Sequence, residues 1–113
     1  MSRGLVATVD GILESSREAD DVLRRVVSAL AAEPGVSWAG VFFYDDGSLV
    51  LGPEAGTADP DSRVAAPVSY RDSRVGELAV DGELELAVLE QVAARIGTHV
   101  LLGWDTGGET WEP

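Results

Sequence analysis

The sequence predicts an α+β domain built on a four-stranded antiparallel sheet in the spatial order 2-1-4-3, with helices on one face of the sheet. First, the residue pattern gives the element order helix, helix, strand, strand, strand, strand, helix. Second, the strand connections are too short for the crossover that parallel neighbours need, so neighbouring strands are expected to be antiparallel. Third, Pro67 has no amide hydrogen to donate, so its strand is placed at an edge and the strand Ser37–Tyr44 in the centre.

Length and composition indicate one globular domain. The chain has 113 residues, of which 45% are hydrophobic, and the whole of 1–113 is read as one domain with a core of about 16–103 and an acidic tail at 104–113. No apolar run is long enough to span a bilayer, and the N-terminus lacks the apolar stretch of a signal peptide. The expected compartment is therefore the cytoplasm, and no membrane partner is expected.

Charge and cysteine content exclude several classes of function. The chain carries a formal net charge of −12, and all of its basic residues are arginine. Nucleic acid and anionic membranes repel such a chain, so neither is an expected partner. The acidic excess is typical of a highly soluble surface, and the alternative is a docking face for a basic partner. The sequence contains no cysteine, which excludes disulfides, thiolate metal ligands and cysteine-based catalysis.

Three helices are predicted from apolar residues at helical spacing. Ser15-x-x-Glu18 has the pattern of a capping box, which predicts the start of the second helix. The third helix is expected to open at Asp81–Gly82, with one apolar stripe facing the sheet. The predicted helices span Gly4–Glu14, then the segment up to about Glu33, and finally the segment up to about Leu102.

The densest aromatic and β-branched run of the chain is the central strand Ser37–Tyr44. Asp46-Gly47 follows this strand and is a strong hairpin signal, because glycine tolerates the positive φ of a tight turn. Pro53–Ser62 has the composition of a loop. The other predicted strands, in chain order, are Ser48–Leu51, Arg63–Ser69 and Val75–Val80.

This element order, together with particular stretches of sequence, resembles the GAF domain family over about Ser16–Leu102. The stretches are Trp38-Ala39-Gly40-Val41-Phe42-Phe43-Tyr44-Asp45, Val64-Ala65-Ala66-Pro67-Val68 and Arg74-Val75-Gly76-Glu77-Leu78-Ala79-Val80. Leu86–Ile96 resembles the closing helix of the family. The resemblance implies a profilin-like α+β fold, a role in signalling or sensing, and dimerisation through flanking helices.

Two features of the family bear on function. GAF domains that hold a ligand usually place a long segment with its own helices after the second strand, where it roofs a pocket on the face away from the terminal helices. Here Gly52–Arg63 is too short to wall a pocket for a nucleotide or a tetrapyrrole, so no cofactor is expected. The hairpin Trp38–Gly52 resembles that of the free methionine-R-sulfoxide reductases, which attack with cysteine thiolates. Without cysteine, no catalytic residue is predicted.

Side-chain alternation assigns the two faces of the sheet. The face that contains the small residues and no charged residue is expected to pack under the helices: Ala39, Val41, Phe43, Gly76, Leu78 and Val80. The opposite face, called the open face below, carries the ligand or interface candidates Trp38, Phe42, Tyr44 and Glu77. Large exposed apolar patches usually mark interaction sites, which predicts a homodimer or a protein partner. The alternatives are a small-molecule groove on this face, and burial of the face by the loop and the tail.

The remaining polar candidates each have a structural and a functional interpretation. His99, the sole histidine, is read as a cation at a helix C-terminus or as a packed ring, rather than as a catalytic base. Asp45-Asp46 fits a turn better than a cation site. Asp59 and Asp61 flank Pro60, but they lack the spacing of a calcium-binding loop, so no metal site is predicted.

These features together predict a non-catalytic signalling or interaction module that dimerises or binds a protein partner. Trp104 and Trp111 in the tail join the candidates, either as anchors of the tail to its own domain or as partner contacts. The first alternative is a small-molecule sensor with a shallow site on the open face. The second is an adaptor of the roadblock or profilin type, which needs a helix that Pro53–Ser62 does not supply.

Overall fold

The computed structural model describes residues 2–15, 18–45 and 47–101, and its elements follow the predicted order. In chain order they are α1 (Ser2–Ser15), α2 (Ala19–Ala31), β1 (Val36–Asp45), β2 (Ser48–Gly56), a single 3₁₀ turn (Pro60–Ser62), β3 (Arg63–Tyr70), β4 (Ser73–Gly82) and α3 (Leu86–Arg95). The strands form an antiparallel sheet in the order β2-β1-β4-β3, which confirms the predicted topology. Within the described ranges, no helix is long and apolar enough to cross a membrane.

The hydrophobic core lies between one face of the sheet and the helices, as predicted. The side chains assigned to this face are buried in one cluster with residues of all three helices: Ala39, Val41, Phe43, Leu78 and Val80. Gly76 lies on the same face, since a Cβ built there would be 3.0 Å from Cγ1 of Val100. The helix α1 packs on α2 and α3, and Arg95 donates to the Asp10 carboxylate at 2.9 Å. The three described helices therefore pack on the same side of the sheet.

The start of α2 differs from the predicted capping box. Ser15 is the last residue of α1, where its hydroxyl donates to the carbonyl of Ile12 at 3.3 Å. The residue at the N-cap of α2 is Glu18, and its side chain forms no capping hydrogen bond within the described part of the chain. The first turn of α2 is acidic, because Asp20 and Asp21 lie there and pair with arginines one turn later. Charge near the positive end of the helix dipole replaces the side-chain cap.

The strand β2 is longer than predicted, so the predicted loop Pro53–Ser62 is wrong in its first half. The register of β1 against β2 shifts between Gly40 and Phe42, which places a bulge opposite them. Pro53 falls in this irregularity on an edge strand, where a missing amide hydrogen is tolerated. The strand then continues to Gly56, whose φ of 96° ends it. Because of the bulge, Leu51 before it and Glu54 after it both lie on the open face.

The last helix begins later than predicted and is interrupted by a bend at Ile96. Asp81 and Gly82 complete β4 instead of opening a helix, and α3 starts at Leu86. The helix ends at Arg95, and a second helical segment follows at 97–101 after a bend at Ile96. A Cβ at Gly97 would lie 2.3 Å from the carbonyl oxygen of Ser69, so the bend lets the backbone contact β3. The predicted end at Leu102 lies outside the described residues.

Candidate functional site

The indole of Trp38 covers one end of the open face. A Cβ built at Gly40 would lie 2.4 Å from the indole, so the ring crosses this glycine and approaches β2. The indole Nε1 donates to Oε1 of Glu54 at 2.8 Å, and the ring centroid is 6.3 Å from that of Phe42. Only 2% of Trp38 is exposed. The chain itself therefore buries the largest aromatic side chain that was expected to be uncovered.

An arginine and an aspartate complete the cover over Trp38. In the sheet register, Asp81 on β4 is the cross-strand partner of both Trp38 on β1 and Arg63 on β3. The three side chains thus form one row across three strands. Arg63 donates from Nε to Oδ1 of Asp81 at 2.6 Å and from Nη2 to Oδ2 at 2.9 Å. Its guanidinium carbon lies 4.2 Å from the centre of the Trp38 ring, in cation–π geometry.

Asp81 is the charged residue at the centre of this row. It is fully buried, and its Oδ2 also accepts the backbone N–H of Asp59 at 2.6 Å. The hydrogen bond from Arg63 holds the pKa of Asp81 below its usual value, against the opposing effect of burial. The same hydrogen bond raises the pKa of Arg63. The pair therefore stays ionised at neutral pH and ties the connection before β3 to the end of the sheet.

The connection between β2 and β3 is ordered by the same group of contacts. Asp59 accepts the backbone N–H of Ser62 at 3.0 Å through its carbonyl and the Ser62 hydroxyl at 3.1 Å through its carboxylate. Thr57 donates its N–H to the carbonyl of Ser37 at 2.8 Å. In the part of the chain that the structure describes, no group of three or more acidic or histidine side chains is placed to hold a metal ion. The aspartates of this segment act as turn residues.

The other end of the open face carries exposed apolar side chains. Two cross-strand pairs, Phe42 with Leu51 and Tyr44 with Leu49, place these four residues on one face of the β1–β2 hairpin. We call them the apolar strip. Tyr44 and Leu49 are each 41% exposed and Leu51 is 43% exposed, while Phe42 is half-buried between them and Trp38. The strip is therefore an exposed apolar surface on the β1–β2 hairpin.

A second ion pair borders the apolar strip. Glu77 is the cross-strand partner of Phe42, and its carboxylate pairs with the guanidinium of Arg74. The guanidinium carbon of Arg74 lies 5.7 Å from the centre of the Tyr44 ring. The register of β3 against β4 shifts between Val68 and Ser69, and Arg74 is the partner of Ser69 just beyond this shift. The side chain of Arg74 lies on the open face, next to Tyr44. The predicted residues Tyr44 and Glu77 are thus linked through an arginine that the sequence did not single out.

The structure separates the predicted candidates into two groups. Trp38 lies under its own cover, whereas Phe42 and Tyr44 belong to the apolar strip and Glu77 borders it. Trp104 and Trp111 fall outside the described residues. Sequence reasoning missed several residues of the open face: Leu49, Leu51, Glu54, Arg63, Arg74 and Asp81. The alternation of Leu49 and Leu51 after the hairpin signal matches that of Phe42 and Tyr44, and it could have identified the strip. No local pattern marks the row of Trp38, Arg63 and Asp81.

His99 lies away from this face, in the helical segment 97–101. Burial lowers the pKa of His99, and its Nδ1 has no hydrogen-bond partner within the described residues. A neutral packed ring fits these observations better than a cation at a helix terminus. Asp45 is exposed at the end of β1, and Asp46 is outside the described residues.

Comparison with known proteins identifies the fold. No protein-family model and no curated protein matches the chain. The GAF domain of a phosphoenolpyruvate-protein phosphotransferase from Coxiella burnetii superposes with a TM-score of 0.76 at 11% identity, over 95% of this chain and 96% of that one. The GAF domain of the Acinetobacter phosphoenolpyruvate-protein phosphotransferase gives 0.74 at 14% identity, over 96% and 98%. This chain has a GAF-like fold.

The same GAF-like fold occurs in enzymes. The free methionine-R-sulfoxide reductase of Staphylococcus aureus, in complex with its substrate, superposes with a TM-score of 0.71 at 13% identity, over 88% of this chain and 95% of that one. A fold does not assign chemistry, so function has to be argued from the side chains on the GAF-like sheet. The present sequence has no cysteine to act as a thiolate nucleophile.

Proposed function

We propose that this GAF-like domain is a non-catalytic interaction module of the signalling type, which binds a protein through the open face of its sheet. The observation that carries the proposal is the burial of Trp38, of which 2% is exposed beneath Arg63. A small ligand on this end of the face would have to displace side chains that the chain has already placed there. What remains accessible is the apolar strip.

The chemistry of the charged side chains supports a role without catalysis. Asp81 is kept ionised by Arg63 and accepts from the Asp59 N–H, so its carboxylate is not poised to take or give a proton near neutral pH. His99, the sole histidine, is on the helical side of the domain with a pKa lowered by burial. Among the described residues, the strip and its border show no pairing of a nucleophile with a base.

The shape and composition of the strip support a protein as its partner. Two leucines and two aromatic rings form cross-strand pairs on this face, and the described helices pack on the opposite face of the sheet. Aromatic and apolar side chains of this kind form the cores of protein interfaces, whereas small molecules are usually held in concave sites. The ion pair of Arg74 and Glu77 at the border supplies the polar rim that such interfaces have.

A second candidate function is a small-molecule sensor with a shallow site at Tyr44 and Glu77. One observation favours it, because Arg74 lies within cation–π reach of Tyr44 and could contact a ligand from the rim. A GAF sensor protein from Burkholderia vietnamiensis shares the fold with a TM-score of 0.73 at 16% identity, over 96% of this chain and 91% of that one.

Titration of the ¹⁵N-labelled chain with purines, cyclic nucleotides and free amino acids separates the two functions. We expect no saturable chemical-shift change at Phe42, Tyr44 or Glu77, or at the indole N–H of Trp38, because Glu54 and Arg63 already contact the indole and Arg74 already pairs with Glu77. Amides of α3, on the opposite side of the sheet, serve as the internal control for solvent and pH effects. Saturable shifts confined to the open face would reject the interaction module in favour of the sensor.

A further inference from the structure

We propose that the partner of the apolar strip is a second copy of this chain, with the two strips packed against each other about a twofold axis. This inference rests on the proposed function, since it names the protein that the open face binds. It assigns the interface to the sheet, on the side away from the helices. The argument comes from the distribution of charge around the strip.

The charged side chains beside the strip are compensated within the chain. Arg74 is paired with Glu77, and Arg63 is paired with Asp81. Glu54 accepts the indole N–H of Trp38, and its carboxylate interacts electrostatically with Arg63, which therefore faces two carboxylates. A basic partner would need uncompensated carboxylates facing it, and an acidic partner would need free arginines. In the part of the chain that the structure describes, each of these arginines and carboxylates already faces an opposite charge, so the face favours a partner surface that is itself apolar.

The same chain offers such a surface, although its net charge is −12. Two copies repel each other wherever their acidic surfaces meet, and this repulsion restricts self-association to a face where charge is balanced. An isologous contact places the same patch on both copies, so apolar strip meets apolar strip. The carboxylate next to the strip on β1, Asp45, alternates to the other face of the strand.

The exposed leucine on α3, Leu86, differs from the leucines of the apolar strip in its surroundings. Leu86 is 47% exposed, slightly more than Leu51, but it stands alone among the acidic residues Glu83, Glu85 and Glu90. An isolated apolar side chain on an acidic surface is an ordinary feature and is not an expected contact between two acidic copies. Leu86 therefore provides a matched control for substitutions in the strip.

Analytical ultracentrifugation of the full chain over a wide concentration range tests the inference. The wild type is expected to be a dimer that dissociates on dilution. Leu51→Glu is expected to raise the dimer Kd by about a hundredfold, because each dimer carries two buried carboxylates that lack partners. Leu86→Glu is expected to leave the Kd unchanged. Added salt should strengthen the wild-type dimer, since it screens the repulsion between two acidic copies.

A second measurement keeps the test independent of variant folding. In the wild type, concentration-dependent chemical shifts are expected at Tyr44 and Leu51 and not at Leu86. A wild type that remains monomeric at every concentration, or a Leu86→Glu effect equal to that of Leu51→Glu, would overturn the self-association. A monomer that also gives a silent small-molecule titration rejects this inference and leaves the proposed function standing. A saturable titration rejects the proposed function itself, whatever the oligomeric state.

Discussion

The Asp81→Asn variant is expected to lose about 3 kcal/mol of its free energy of unfolding, because removing one partner of a buried ion pair leaves the other without compensation. The loss falls at the low end of the range for such pairs, since 30% of the Arg63 side chain is exposed and water can solvate part of it. Asparagine keeps the shape of the residue and can still accept the N–H of Asp59. Urea unfolding monitored by circular dichroism measures the change.

The matched control for this variant is Asp20→Asn. Asp20 pairs with Arg24 on the surface of α2, where its side chain is 42% exposed. Exposed pairs of this kind contribute about 0.5 kcal/mol or less, and the interaction of Asp20 with the dipole of α2 adds a few tenths, so this variant should lose no more than about 1 kcal/mol. Equal losses in the two variants would show that Asp81 has no special role in holding the end of the sheet.

The loss of stability in Asp81→Asn is also expected to depend on pH. The pKa of Asp81 is lowered in the folded state, so its ionised form favours folding. This contribution is complete above the usual aspartate pKa and is lost as the pH falls through the lowered value. The stability difference between the wild type and Asp81→Asn should therefore shrink below about pH 4. A difference that stays constant from pH 7 to pH 2 would contradict the ion pair.

Trp38→Ala is expected to destabilise the domain by about 4 kcal/mol, because it empties the space between Gly40, Phe42 and Arg63 and removes the hydrogen bond to Glu54. Trp38→Phe should lose less, since a ring remains beneath the guanidinium. Urea unfolding at low temperature provides the measurement, with Leu86→Ala at an exposed position as the control. A loss no greater than that of the control would mean that Trp38 is not packed as described.

A double-mutant cycle of Trp38→Ala and Asp81→Asn tests whether the row acts as a unit. Both residues contact Arg63, so their effects should be non-additive by about 1 kcal/mol, as is usual for residues that share a partner. Additive losses would indicate that the cation–π contact and the ion pair are energetically independent.

Much of the fold could be predicted because it is set by local pattern. The alternation along Ser37–Tyr44 determines which side chains face the helices, and Pro67 is compatible only with an edge. The boundaries were less predictable, since they depend on contacts between elements. The bulge that carries β2 past Pro53 and the approach of Gly97 to Ser69 are tertiary features with no counterpart in local sequence.

The candidate site could be predicted only in part, for the same reason. Trp38 was identified as an open-face residue, but its cover comes from Arg63 and Asp81, which are distant in sequence and meet through the register of three strands. Asp81-Gly82 has the composition of a helix start, which predicts a helix there. The structure instead places Asp81 at the end of β4 as a buried carboxylate. Half of the apolar strip is predicted from the sequence, since Phe42 and Tyr44 are among the candidates and their cross-strand partners Leu51 and Leu49 are not.

Quenching of Trp38 fluorescence by acrylamide tests most directly whether the chain's own side chains fill the end of the open face. The measurement uses a chain in which Trp104 and Trp111 are replaced by phenylalanine, so that Trp38 is the sole indole. We expect a quenching constant several-fold below that of free N-acetyltryptophanamide, and a rise toward the free value in the Arg63→Ala variant. An indole that is quenched as readily in the wild type as in free solution would contradict the account.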